Sequence, residues 1–206
     1  MSRPLVITDC DEVLLHMVSH FKNWLDEDQD VTFKMNGGDF ANALRRKDND
    51  EPIEQAEIWR LLNLFFDHEM ERQTEIPGAS AALAKIGENA DVVVLTNLLD
   101  HRRDQRTQQL ATHGINVPVF TNQGPKGLAI RKILDEYKPS QAIFIDDLAQ
   151  HHASAFEETP EVGRLHFVGE PTLAPHIPCA HVAGHADARI DRWDEALPWL
   201  LMRLHN

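Results

Sequence analysis

Cysteine is nearly absent from this chain. Cys10 and Cys179 are the only two among 206 residues, far apart and outside any C-x-x-C spacing, which excludes a disulfide framework and a zinc ribbon. Positive charge is also short. Twenty Lys and Arg against 33 Asp and Glu leave a net charge of -13, and that balance argues against nucleic acid or an anionic membrane as the main partner. It says little against a small anionic substrate, whose binding answers to local fields. No apolar span approaches the roughly 20 residues a bilayer needs. The amino-terminal apolar run is cut short by Asp9, so it does not read as a signal peptide. A soluble, cytoplasmic protein is the expectation, with its oligomeric state left open. There is no internal repeat and no low-complexity tract, and the length suits one domain carrying an insertion.

What the chain does have is concentrated first in Leu5-Val6-Ile7-Thr8-Asp9-Cys10-Asp11-Glu12-Val13-Leu14. The apolar part is too short for a helix and rich in β-branched residues, so it reads as a buried strand of a parallel sheet. In open α/β sheets ligands bind beyond the carboxyl ends of the strands, which is where Asp9 and Asp11 fall. Two carboxylates this close repel, and they need a metal, a proton or a lysine to coexist.

From Leu14 to Glu75 the pattern changes to helical periodicity, with an acidic run at Asp26–Asp30 and a break at Gly37-Gly38. One helix is marked by Pro52 in its first turn, Asp50 or Glu51 as its cap, and a buried stripe of Ile58, Trp59, Leu61, Leu62, Phe65 and Phe66. Only Val31–Phe33 reads as alternating. Ile76-Pro77-Gly78 ends the insertion, and strands then alternate with helices. The strands are expected at Asp91–Asn97, Val117–Thr121, Ala142–Asp147 and near Leu165–Val168. The helices are expected at about Ala79–Gly87, Arg102–His113, Gly124–Tyr137, Leu148–Glu158 and Trp193–Leu204. Pro118 places the Val117 strand near an edge. The fold class is therefore α/β, a doubly wound parallel sheet with a small helical insertion.

Polar residues recur at the ends of three buried strands: Asp9 with Asp11, Thr96, and Asp146 with Asp147. Lys126 stands at the mouth of the helix after the Val117 strand. Singly, each has an ordinary explanation, since Thr and Asp cap helices and most lysines are solvated. In this order on this alternation the chain resembles the haloacid dehalogenase (HAD) superfamily, specifically its aspartate-nucleophile phosphatases. Asp9, Asp11 and Val13 match the first motif of that family. Thr96 (followed by Asn97), Lys126 and the Asp146-Asp147 pair match the other three. Glu12 departs from the pattern, standing where the family often has glycine.

The resemblance implies a Rossmann-like core of strand order 5-4-1-2-3 over residues 1–14 and 77–206, with a C1-type helical cap at 15–76. It also implies a magnesium-dependent hydrolase of small phosphate monoesters, acting through an aspartyl-phosphate. Asp9 is then the nucleophile and Asp11 the general acid and base. Thr96 and Lys126 bind the phosphoryl group, with Asn97 and the Cys10 backbone N–H as further substrate contacts. Mg2+ would be held by Asp9, the Asp11 carbonyl, and one or both of Asp146 and Asp147. Because members that remove halide need no acid at position 11, Asp11 selects the phosphatase branch. The expected partner is a small phosphorylated metabolite.

Other readings have weaker support. A receiver domain carries its phosphorylated Asp after the third strand, where this chain has Thr121-Asn122. Thiol-based phosphatases carry a C-x5-R loop, which is lacking here. The pairs His16/His20 and His181/His185 have chelating spacing but no H-E-x-x-H, so chance spacing explains them. Arg45-Arg46-Lys47 reads as a solvated helix end that an anionic substrate tail would meet. Phosphoryl transfer to a sugar hydroxyl, or a catalytically retired binding protein, remains an alternative for the same motifs.

Overall fold

The structure is a computed structural model describing residues 2–34 and 43–205, so the expected Gly37-Gly38 break lies outside the described residues. The first strand, β1 (Leu5–Thr8), is fully buried. It pairs in parallel with β4 (Asp91–Thr96) on one side and β6 (Ala142–Asp146) on the other. Further strands are β5 (Val119–Thr121), β7 (Gly163–His166) and β8 (Ala188–Arg189), giving a parallel sheet of order β5-β4-β1-β6-β7-β8. The first five core strands stand in the expected order, and β5 is the edge that Pro118 implied. The sheet adds β8 outside β7. Two residues long, β8 is too short to show a period, and it follows a stretch rich in Pro and His between Glu170 and His185.

Both faces of the sheet are covered. Val6, Val92, Val94, Ile143, Ile145 and Leu165 pack on α3 (Ala79–Gly87) and α7 (Trp193–Leu204). The alternate positions Leu5, Ile7, Val93, Leu95, Ala142 and Phe144 pack on α5 (Gly127–Tyr137) and α6 (Ala149–Glu158). This alternation is the period of two that a strand imposes on its side chains. The helix α4 (Arg103–Thr112) follows β4 and adds Leu110 to the first face.

The insertion contains α1 (Val18–Asp28), an antiparallel ribbon of β2 (Val31–Phe33) and β3 (Leu44–Arg46), and α2 (Gln55–His68). It is mainly helical, with the ribbon added. Here α2 begins later than Pro52 suggested, because the chain at 51–53 is still bound to the ribbon: Arg46 N–H donates to Glu51 O and Ile53 N–H to Leu44 O. Arg45 and Arg46 are accordingly strand residues, with Arg45 Nη1 donating to Asp50 O at 2.7 Å. Trp59, expected in the stripe, is 59% exposed. It sits one residue, or about 100° of helix, past the buried Ile58.

Phe21, Trp24, Leu25, Leu61, Phe65 and Phe66 form a separate apolar cluster that takes in Leu98 and Val168 from loops following β4 and β7. The insertion thus sits on the carboxyl ends of the strands. Its two linkers are bound together: Leu15 bridges Glu75, His16 N–H donates to Thr74 O, and Ile76 N–H donates to Leu14 O. Among the described residues no helix is long and apolar enough to cross a membrane.

Candidate active site

Parallel pairing on both sides of β1 brings the ends of β1, β4 and β6 together. Asp9 continues β1, its N–H donating to Ile145 O. Asp146 ends β6, and Thr96 ends β4. Lys126 reaches the same point from the start of α5. Its ammonium lies 2.7 Å from Asp9 Oδ1 and 2.7 Å from Asp146 Oδ2, with no solvent exposure. Gly127 allows α5 to come this close. A Cβ there would stand 2.3 Å from Ser154 O in α6, a backbone atom that cannot step aside.

Asp9, Asp146 and Asp147 are all buried, and each offers a carboxylate oxygen within 4.8 Å of the others. Burial raises the Asp9 carboxyl to about 7, Asp146 and Asp11 add to this, and Lys126 opposes it. Burial, then Asp146 and Asp9, push Asp147 well above the carboxylate range. For Asp146 burial works in the same sense, but Lys126, His151 and His152 outweigh it and hold the group low. Burial alone would discharge Lys126, whereas Asp146 and Asp9 hold its ammonium firmly charged. One lysine therefore faces three carboxylates. The surplus negative charge and the all-oxygen donor set fit a hard divalent cation.

Thr96 Oγ1 is buried with no hydrogen-bond partner among the described residues. Asn97 is exposed and ties down the approach to Lys126: its Nδ2 donates to Gly124 O, and its Oδ1 accepts from Asn122 Nδ2. Cys10 is buried. Burial pushes its thiol far up, against the pull of Arg106, so it is no thiolate nucleophile. Of the predicted residues, Asp9, Lys126, Asp146 and Asp147 converge directly.

The carboxylate of Asp11 is not in that cluster. It accepts from Gln73 Nε2 at 2.7 Å and from Arg106 Nη2 at 3.0 and 3.2 Å. Arg106 is fully buried, donates also to Cys10 Sγ, and lies over the Phe66 ring of the insertion. Gln73 is further engaged by Gln109. Neither Arg106 nor Gln73 was singled out by the sequence reading. A signal existed, because Arg102, Arg106, Gln109 and Leu110 share one face at helical spacing and all are buried. Arg102 turns that face into a tie to the insertion, donating to Asp67 and Asn63.

Two buried histidines, also missed, hold the acidic pair from behind. His152 Nε2–H donates to Asp146 O at 2.9 Å and His166 Nε2–H donates to Asp147 O at 2.8 Å. The carbonyl acceptors fix these tautomers, and His166 Nδ1 in turn accepts from Ala180 N–H.

No protein-family model and no curated protein matches the sequence. Solved structures do resemble it. A haloacid dehalogenase-like family hydrolase from Streptococcus pneumoniae superposes with a TM-score of 0.64 at 13% identity, over 95% of this chain and 97% of that one. A protein provisionally named a β-phosphoglucomutase, from Thermotoga maritima, gives 0.63 at 14% identity over 97% and 99%. The provisionally named HAD-hydrolase YfnB from Bacillus subtilis, described as bound to magnesium, gives 0.63 at 14% identity over 97% and 99%. The chain has the haloacid dehalogenase-like fold, shared with each of these structures over at least 95% of its length.

Proposed function

We propose that the protein is a magnesium-dependent phosphatase acting on a small phosphate monoester through an aspartyl-phosphate on Asp9. The observation that carries this reading is the convergence at one strand end: Asp9 and Asp146 share Lys126 at 2.7 Å each, with Asp147 in the same cluster. Asp9, Asp146 and Asp147 would hold Mg2+, which when bound offsets the charge of the phosphate that otherwise repels a carboxylate nucleophile.

Asp9 attacks phosphorus, a bond forms from its carboxylate oxygen, and the ester P–O bond breaks. Asp11 supplies the proton to the leaving alkoxide oxygen. Water then attacks phosphorus, Asp11 accepts its proton, and Asp9 is released with inorganic phosphate. Lys126 balances charge on Asp9 and on the transferring group, and Thr96, whose hydroxyl lacks a partner among the described residues, donates to a phosphoryl oxygen. To reach the leaving group, Asp11 must give up Arg106 and Gln73. The insertion, seated on the strand ends, is the substrate-selecting cap, and a small phosphorylated metabolite is the partner.

The test is a panel of phosphorylated metabolites and an aryl phosphate assayed with and without Mg2+. Metal-dependent release of inorganic phosphate that Asp9→Asn abolishes is the expected result. Phosphate appearing on a second sugar hydroxyl, with none released, would make the protein a transferase like the activity named for the Thermotoga protein. No turnover of any ester would overturn the reading.

A further inference from the structure

A second group of ligating side chains lies at the root of the insertion, outside the Asp9 cluster. Glu12 and His16 come from the segment leaving β1, and Glu170 from the loop beyond β7. Each offers one ligand atom, all within 4.8 Å of one another. His16 Nδ1 stands 3.1 Å from Glu170 Oε2. The other Glu170 oxygen is occupied, accepting from Thr172 N–H and Oγ1. Glu12 divides in the same way: Oε1 accepts from Met17 N–H at 2.8 Å and Val18 N–H at 2.6 Å, at the start of α1. Its Oε2 is buried without any hydrogen-bond partner among the described residues, on a residue 2% exposed.

A buried carboxylate oxygen left unpaired beside a second carboxylate is costly unless a proton or a cation joins them. The backbone shows how firmly Glu12 is held there. It adopts a φ of 62°, in the left-handed region, where a side chain other than Asn or Asp is uncommon. Its N–H donates to Leu15 O and its carbonyl accepts from Gly169 N–H, binding it to both the linker and the β7 side.

We infer that Glu12, His16 and Glu170 form a structural site for a first-row divalent transition ion of the zinc type. One imidazole and two carboxylates favour zinc-like ions over calcium or magnesium, which prefer oxygen alone. With a neutral imidazole the two carboxylates balance a divalent charge. Ligands at about 2.1 Å from an ion stand about 3.0 Å apart on a six-coordinate edge and about 3.4 Å on a tetrahedral one, and the 3.1 Å between His16 and Glu170 falls in that range. The ion ties the first linker of the insertion to the core beyond β7. Because Glu12 also holds the first amides of α1, the ion sets the seat of that helix. The spacing of His16 to His20 is not what makes the site, since His20 bonds Thr74 instead.

The experiment is titration of chelator-treated full-length protein with Co2+ and Zn2+ in millimolar Mg2+, which fills the Asp9 cluster. Wild type is expected to take up one tight equivalent, with a visible Co2+ spectrum that Zn2+ abolishes. His16→Asn and Glu170→Gln should weaken this uptake by more than about 100-fold, beyond what loss of an outer partner does, while Asp147→Asn keeps it. Circular dichroism checks that each variant is folded, and His16→Gln replaces any that is not. Absence of the equivalent in wild type would overturn the assignment. So would its survival in the folded His16 and Glu170 variants, or its loss in Asp147→Asn.

Discussion

At the scale of single residues, the division of labour between Asp9 and Asp11 is the sharpest consequence of the geometry. Asp9 lies among acids and a lysine, whereas Asp11 is turned to Arg106 and Gln73. Asp9→Asn removes the nucleophile and should abolish both turnover and covalent phosphate. Asp11→Asn keeps the nucleophile but neither donates nor accepts the proton, help worth ~100- to 10,000-fold. An aryl leaving group departs unprotonated, so rapid-quench labelling of Asp11→Asn with an aryl phosphate should trap phosphate on Asp9. Labelling of Cys10 would mean that the roles are assigned wrongly. Arg106→Gln tests the hold on Asp11 separately. Freed of its ion pair, Asp11 should change kcat for alkyl esters more than for aryl esters. An equal change for both would make Arg106 a structural residue only. Its removal also leaves the Cys10 and Asp11 contacts unfilled in a buried place, so a stability loss of about 1–3 kcal/mol in urea melts is expected alongside.

At the scale of elements, the close crossing of α5 and α6 carries Lys126 into the site. Gly127→Ala puts a methyl against Ser154 O, and a clash with backbone costs about 1–3 kcal/mol or more. The helix can relieve it only by backing away, which carries Lys126 from Asp9 and Asp146. Lower Tm together with reduced activity is expected, whereas unchanged activity would show that the two are not linked. This crossing is invisible in sequence, as are all contacts between distant helices. The strands were legible because β1, β4 and β6 are short β-branched runs buried on both faces, and their terminal Asp and Thr residues gave the site its outline. The start of α2 was not, since Pro52 suits a helix as well as it suits the ribbon contact it makes with Arg45. Nor was β8, which owes its pairing entirely to β7. Arg106 stayed hidden for a related reason: a polar face on α4 reads as solvated until the insertion covers it.

At the scale of the whole molecule, the fold carries acids that it stabilises in their protonated form when no cation is bound. Burial raises Asp9 to about 7 and Glu12 to about 8, against ordinary values near 4. A carboxyl raised on folding binds its proton more tightly in the native state. Its contribution is therefore fully present below the unfolded pKa and is lost as pH rises through the folded one. The buried histidines act in the opposite sense, because His152 is lowered to about 4 mainly by burial. Their contribution is complete above about 6.5, the ordinary histidine value. Between pH 7 and 9 the carboxyls therefore dominate. Chelator-treated protein should lose on the order of 1 kcal/mol of unfolding free energy across that interval, read from urea melts at each pH. Millimolar Mg2+ should raise stability most at pH 9, because a bound cation replaces the missing proton at Asp9 and Asp147, and so reduce the slope by the share of these two groups, leaving that of Glu12. Asp147→Asn removes one of the repelling acids, so without metal it should be at least as stable as wild type and should gain less from Mg2+. A metal-free protein whose stability rises between pH 7 and 9 would mean that these carboxyls are already ionised and balanced, and that the cluster does not require a cation.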